Sequence, residues 1–394
     1  LNILLNNGAD ANTAANNSLT PLMLAAYKGF IKIVESLLRH GADVDVISDE
    51  GLSALAYSVK SGKLEIVKLL LEYGASIDIG NEKNKNLLLL AIETGNIEII
   101  KILLDYNIDI NQKTEDGLTY LMLSAVNEKL EIMKLLLDYG ANINDQTKDG
   151  WTVLMMAIDR GEIAAANTLI DYNCDIHLLN NDKETALMMA ISKGHNDLAE
   201  TLIYKNADVQ HKDKKGWTPL HYVAASTKPD LAITKLLIKN SADINNRTNH
   251  GFTPLHIVSK ASYRTNEKQK QFVQYLISRD ADLNILDNKG NKPLDYLSGE
   301  GDLVDYIKML NMELVNSSES NEIKKVSKYL QLGANLKLLN TETHNRIYNA
   351  IRSGNVSMLD LLLKSGLNPN TRIWYYLDKF KQKRLLTLLV TAIY

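Results

Sequence analysis

The sequence is short of the residues that pin a protein down by covalent or metal chemistry. Of 394 residues only Cys174 is a cysteine, so a disulfide framework and a cysteine-based zinc site are excluded and a reducing compartment is expected. Six prolines, set against 45% hydrophobic residues, rule out a proline-rich or intrinsically disordered chain. The charge-free stretch at the tail, Leu385 to Tyr394, falls far short of the roughly 20 apolar residues that a membrane-spanning helix needs. A membrane partner is therefore not expected. Charge of one sign is missing as well: 44 basic and 47 acidic side chains leave a net of −3, which gives no global attraction to nucleic acid. A monomer in the cytoplasm is the simplest expectation. The chain opens on Leu1 in what reads as mid-helix, so it is expected to be a piece of a longer protein.

What is present is repetition. Gly8-Ala9-Asp10-Ala11-Asn12 returns as Gly41-Ala42-Asp43-Val44-Asp45 and as Gly140-Ala141-Asn142-Ile143-Asn144, with further copies at Gly74, Asn107, Asn173 and Asn206. The first residues stand at 8, 41, 74, 107, 140, 173 and 206, a constant step of 33. Later copies begin at Ser241, Asp280, Gly333 and Gly366. A second landmark precedes each segment: Thr20-Pro21-Leu22, Thr119, Thr152 and Thr185, with Thr218-Pro219-Leu220-His221 and Thr253-Pro254-Leu255-His256 as the fullest versions. Threonine can accept a free backbone N–H at a helix start, and proline loses no hydrogen bond at the next position. Where threonine is replaced, Ser53, Asn86 and Asn345 are still competent caps, and Lys292 is the exception.

Between the landmarks, Ile31, Ile33, Val34, Leu37 and Leu38 follow helical spacing, as do Leu64, Ile66, Val67, Leu70 and Leu71. Glycine at 29, 62, 95, 161, 194 and 354 separates a first short helix from this second one. The second ends on Gly or Asn, residues that tolerate a left-handed terminus. Each unit thus reads turn, helix, turn, helix, with no hydrophobic face that it could bury alone.

Gly-x-Thr-Pro-Leu-His with Gly-Ala-Asp-x-Asn every 33 residues resembles the ankyrin repeat. The resemblance implies an all-α solenoid with short β-hairpin turns, here about 11 stacked units. A regular array is expected over 1–310, with a partial first unit at 1–12, then degenerate units over 311–370. Residues 371–394, where Trp374, Tyr375, Tyr376 and Phe380 alternate with Lys379, Lys381, Lys383 and Arg384, read as a capping helix or the start of a further segment. The polar run at 316–321 reads as a hinge within 311–321, or equally as one long loop in a continuous stack.

No catalytic set stands outside the repeat. His221 and His256 belong to the signature, where they are expected to bond a neighbouring hairpin, and Cys174 fills the slot of Ala42, Ala75 and Ala141. Tyr73, Tyr106, Tyr139 and Tyr172 occupy equivalent positions and read as packing between neighbours. No cofactor or metal is expected, and no enzyme. The resemblance implies a scaffold that binds a partner protein along a concave face of hairpin tips and first helices. Residues at the tips are Leu52, Leu118, Trp151, Glu184, Trp217 and Phe252, with Asp159, Arg160, Ser192 and Lys193 rimming the same groove at the ends of first helices. The aromatics among them could serve a partner or pack on their own hairpins, and both roles stay open here. A second reading makes the chain the targeting arm of a larger enzyme, membrane protein or host-directed effector, which would extend its location to a host cytosol. Charge drifts along the chain, with 29 acidic against 16 basic residues over 1–203 and 8 against 14 over 204–290. Such asymmetry can steer and orient a partner.

Overall fold

A computed structural model describes residues 2–15, 17–77, 86–114, 116–260, 267–296, 302–320, 322–331, 356–364, 372–377 and 382–387. The chain divides into two compact units, Leu1–Met189 and Ala190–Tyr394. The first opens with α1 (Asn2–Asn6) and continues in pairs: α2 (Pro21–Lys28) with α3 (Ile31–Arg39), and α4 (Ala54–Lys60) with α5 (Leu64–Glu72). Then come α6 (Leu87–Thr94) with α7 (Ile97–Asp105), α8 (Tyr120–Val126) with α9 (Leu130–Asp138), and α10 (Val153–Arg160) with α11 (Ile163–Asp171). Helix α12 (Ala186–Lys193) carries the chain into the second unit. There α13 (Asn196–Tyr204) is followed by α14 (Pro219–Ala225) with α15 (Leu231–Lys239), and α16 (Pro254–Lys260) with α17 (Glu267–Ser278). A 3₁₀ turn at Pro293–Tyr296, α18 (Asp302–Glu319), α19 (Ile323–Gln331) and α20 (Val356–Lys364) complete the helical part.

From α1 to α16 no helix exceeds nine residues, below the roughly 12–15 at which an isolated helix becomes stable in water. Packing must hold them. In the first unit, first helices stack on first helices (α2 on α4, α4 on α6, α6 on α8, α8 on α10) and second on second (α3 on α5, α5 on α7, α9 on α11). The same rule holds in the second unit for α14 on α16 and for α13 on α15 on α17. The apolar stripes supply the interface: Val34, Leu37, Val67, Leu70, Ile100 and Leu103 are fully buried. Truncating such a leucine to alanine costs about 2–5 kcal/mol.

The threonine starts work as read. Oγ1 of Thr20, Thr119, Thr152 and Thr185 accepts the N–H of Met23, Met122, Met155 and Met188 at 3.2–3.3 Å, and Ser53 and Asn86 cap in the same way. The terminal position of each second helix is left-handed in nine consecutive copies, with φ between 57° and 89° at Gly8, Gly41, Gly74, Asn107, Gly140, Asn173, Asn206, Ser241 and Asp280. At the hairpins, Lys113 bridges Thr119 and Gln146 bridges Thr152 as isolated β pairs.

The far end departs from the sequence reading in three ways. Lys292 caps no helix by its side chain. Asp295 reaches back to accept its N–H at 2.6 Å, and the first helix there shrinks to the 3₁₀ turn. The expected hinge over 311–321 falls largely inside α18: Leu310, Leu314 and Ser318 are buried one turn apart, and Ser318 Oγ donates to Leu314 O at 2.7 Å. Small hydroxyls that satisfy themselves on the preceding turn fit a packed helix face, so a polar run there need not be a linker. Of the two readings of 371–394, a capping helix or the start of a further segment, the helix gives way among the described residues to an antiparallel hairpin of β1 (Arg372–Leu377) and β2 (Gln382–Thr387), with Arg372 opposite Thr387 and Leu377 opposite Gln382. The run Ile373-Trp374-Tyr375-Tyr376 is β-branched and aromatic, which favours the extended chain. Residues 332–355, which hold the Gly333 copy, the Asn345 cap and Gly354, lie outside the described residues.

Candidate protein-binding surface

Each hairpin tip is closed by its own residues. At the tip before α10, Thr147 N–H donates to Trp151 O (2.9 Å), Trp151 N–H donates to Thr147 Oγ1 (3.1 Å) and Gly150 N–H to Thr147 O (2.9 Å). The tip before α8 repeats this with Thr114 N–H to Leu118 O (2.9 Å) and Leu118 N–H to Thr114 Oγ1 (3.1 Å). Tips are then stitched side by side. Gln146 Nε2 donates to Gly150 O in its own tip and to Leu179 O in the next (2.7 and 2.9 Å). Asn181 donates its N–H to Asp149 O (2.9 Å) and Nδ2 to Lys148 O (3.1 Å). So close is this approach that a Cβ on Gly150 would lie 2.9 Å from Asn181 N.

Between these tips and the end of α10 lies an open pocket of about 340 Å³. Leu118 and Trp151 come from consecutive tips, and Met156, Asp159 and Arg160 from α10. Asp116, Thr147 and Asp149 of the turns complete the lining. Trp151, Leu118 and Asp159 are half-buried, and Arg160 is exposed at the helix end. Four residues that sequence position assigns to the groove are thus brought together by geometry. Asp116, Asp149 and Met156 join them. Asp116-Gly117 and Asp149-Gly150 are by type ordinary turn residues, and nothing in that pattern marks their carboxylates as neighbours of the tip aromatic.

Other expected residues fare differently. Leu52 is fully buried and presents nothing to a partner: its tip folds the side chain into the core, where an aliphatic residue gains more than at the surface. Glu184 is half-buried and accepts Asn180 Nδ2 at 2.8 Å. Ser192 and Lys193 are exposed at the end of α12. In the second unit, Trp217 packs edge-on against Tyr222 (5.4 Å between centroids) and beside His221 (6.2 Å). Phe252 lies against Tyr296 (5.7 Å) and His256 (5.8 Å), with Lys260 Nζ 5.1 Å over its ring. Both rings remain half-exposed.

The two histidines are structural. His221 Nδ1 accepts Thr218 N–H (3.1 Å), so Nε2 carries the proton and donates to Phe252 O of the next hairpin (3.0 Å). His256 repeats this with Thr253 N–H (3.1 Å) and Asn291 O (3.2 Å). Burial lowers the pKa of His221 to about 4 and that of His256 in the same direction. Burial likewise raises the Cys174 thiol to about 12, leaving it protonated and inert. The tyrosine ladder bridges neighbours, Tyr139 and Tyr172 each donating to the aspartate of the preceding unit, Asp105 and Asp138 (both 2.8 Å). Tyr73, Tyr106, Tyr139 and Tyr172 are 40–50% exposed, and Tyr139 and Tyr172 serve as polar clasps between neighbours. Among the described residues no group of His, Cys, Asp and Glu could hold a metal ion, and no helix is long and apolar enough to cross a membrane.

A family model for ankyrin repeats (3 copies) matches residues 1–81, 76–147, 142–213 and 187–287. The chain belongs to the ankyrin-repeat family. No curated protein matches this sequence. Ankyrin repeats generally mediate protein–protein interaction and are typically non-catalytic modules.

Proposed function

We propose that the chain is a non-catalytic scaffold that binds a partner protein through its hairpin tips and the ends of its first helices, centred on Trp151. The observation that supports this most is the pocket that joins Leu118, Trp151, Asp159 and Arg160, residues 42 positions apart in sequence at the extremes, on one open surface. A half-buried tryptophan on a rigid tip loses little conformational entropy on contact, and such anchors carry most of an interface's energy. Trp217 and Phe252 form the corresponding tips of the second unit and are assigned supporting contacts, since Trp217 already packs on Tyr222 of its own helix and Phe252 on His256 of its own helix and on Tyr296 of the next repeat.

Affinity capture with the wild-type chain, followed by binding measurements on the purified partner, tests this reading. Trp151→Ala should weaken the complex by about 2 kcal/mol or more, with far-ultraviolet circular dichroism unchanged, and Trp217→Ala by less. Equal binding by wild type and Trp151→Ala would remove the surface from consideration.

A further inference from the structure

The pocket at Trp151 has a chemistry that the surface reading alone does not require. Three of its lining residues are carboxylates, Asp116, Asp149 and Asp159, and they surround an apolar wall made by Trp151, Leu118 and Met156. Arg160 is its single cation, and it stands exposed at the helix end. At about 340 Å³ the space sits at the small end of the roughly 300–1,000 Å³ of ligand sites and admits a long side chain with room to spare. The surrounding unit is acidic throughout, with 27 Asp and Glu against 15 Lys and Arg over residues 1–189. A cation on a long apolar stem matches both halves of this lining: the stem lies along Leu118 and Met156, while the charge faces carboxylates and an indole ring.

We infer that the Trp151 pocket receives a lysine or arginine side chain of the partner protein, seated between the carboxylates of Asp116, Asp149 and Asp159 and the Trp151 ring. The inference rests on the interaction reading above and adds to it the partner's chemistry, a basic residue displayed on an accessible segment. Asp116 and Asp149 are exposed and Asp159 half-buried, so a neutral apolar side chain of the same length would strip some water from carboxylates and return no charge pairing. An acidic one would meet like charge. Selectivity therefore comes from the pocket rather than from the net charge of the chain.

The test uses the full chain and four capped pentapeptides that differ only in their central residue: lysine, arginine, norleucine or glutamate. Three tryptophans, Trp151, Trp217 and Trp374, give three indole N–H resonances, assigned by single Trp→Phe replacements. The lysine and arginine peptides should shift the Trp151 resonance saturably and leave that of Trp217 in place. Norleucine should bind at least tenfold more weakly and glutamate not measurably. Asp116→Asn with Asp149→Asn, which keeps shape and removes charge, should weaken the lysine peptide at least tenfold, and added salt should do the same in part. Norleucine binding as well as lysine, indifference to the double asparagine variant, or a silent Trp151 resonance would each overturn the inference. The fate of the wider reading is read separately: a purified partner that depends on Trp151 but ignores Asp116→Asn with Asp149→Asn leaves the surface standing and removes only the cation. A partner indifferent to Trp151 removes the surface itself.

Discussion

The Gly-Ala-Asp-x-Asn segment shows how much a single side chain does here. Its first residue holds a left-handed terminus and its second is buried, as at Ala42, Ala207 and Ala281. The third accepts the N–H two residues on, from Asp10 and Asp43 through Asp243 and Asp282. The fifth reaches the next unit, so that Asn12, Asp45, Asn111, Asn144 and Asn245 each accept a backbone N–H there at 2.8 Å. One segment therefore ends a helix, shapes a turn and clasps a neighbour. Ser241 and Asp280 hold the left-handed position without being Gly or Asn, at φ 70° and 66°. Ser241→Gly and Asp280→Gly should each stabilise the second unit by about 0.5–1 kcal/mol, the relief of a strained backbone offset by a freer unfolded chain, read as a rise in melting temperature. No rise would mean that the surroundings have already absorbed the strain. His221 gives a second prediction. Its pKa falls from the ordinary 6.5 to about 4 on folding, so the unfolded chain binds the extra proton between those values and stability rises with pH across that window. The contribution, on the order of 3 kcal/mol, is complete above pH 6.5 and is lost as the pH falls through 4. Urea midpoints measured between pH 6.5 and 5, above the carboxylate range, should decline in the wild type and decline less steeply in His221→Gln, where His256 keeps its own share.

At the scale of elements, the units are legible wherever the local signals agree. Threonine caps, helical spacing and turn glycines all point one way from Thr20 to His256, and the helix pairs lie there. Legibility ends where the only signal was polarity or composition. The serines at 317 and 318 look like linker residues, but their neighbours Leu310, Leu314 and Val315 set a buried helical face. The aromatic and basic residues after 371 look amphipathic, yet alternate extended residues describe them as well, and the strand pairing decides. Leu52 shows the same limit at a tip, because equivalence of position does not fix which way a side chain turns. The tips themselves can be tested by two glycines of one unit. Gly140 (φ 87°) has open space where a Cβ would go, while Gly150 (φ 79°) has Asn181 N at 2.9 Å. Gly140→Ala should cost about 1–2 kcal/mol for its backbone alone, and Gly150→Ala distinctly more, with the Trp151 indole resonance displaced. Equal costs would mean that neighbouring tips yield freely and hold no fixed groove.

For the whole molecule, the ankyrin identity follows from the 33-residue step, and the binding role proposed for it rests on the open surface at Trp151. The partner's chemistry was not legible in sequence. Asp116 and Asp149 stand 33 residues apart as ordinary turn aspartates, and only the stacking of consecutive tips sets both in one lining with Trp151 and Asp159. Nearby acidity should also speed association with a basic partner at low salt. The claim on which the account turns is that partners dock on the tip surface rather than elsewhere on the array. Site-specific photocrosslinking measures this directly, with p-benzoylphenylalanine placed in turn at position 151, at 160, and at 139, where Tyr139 is exposed at the end of a second helix. Docking on the tips should give covalent partner adducts from 151 and 160 and none from 139. Adducts from 139 with none from 151 or 160 would contradict it.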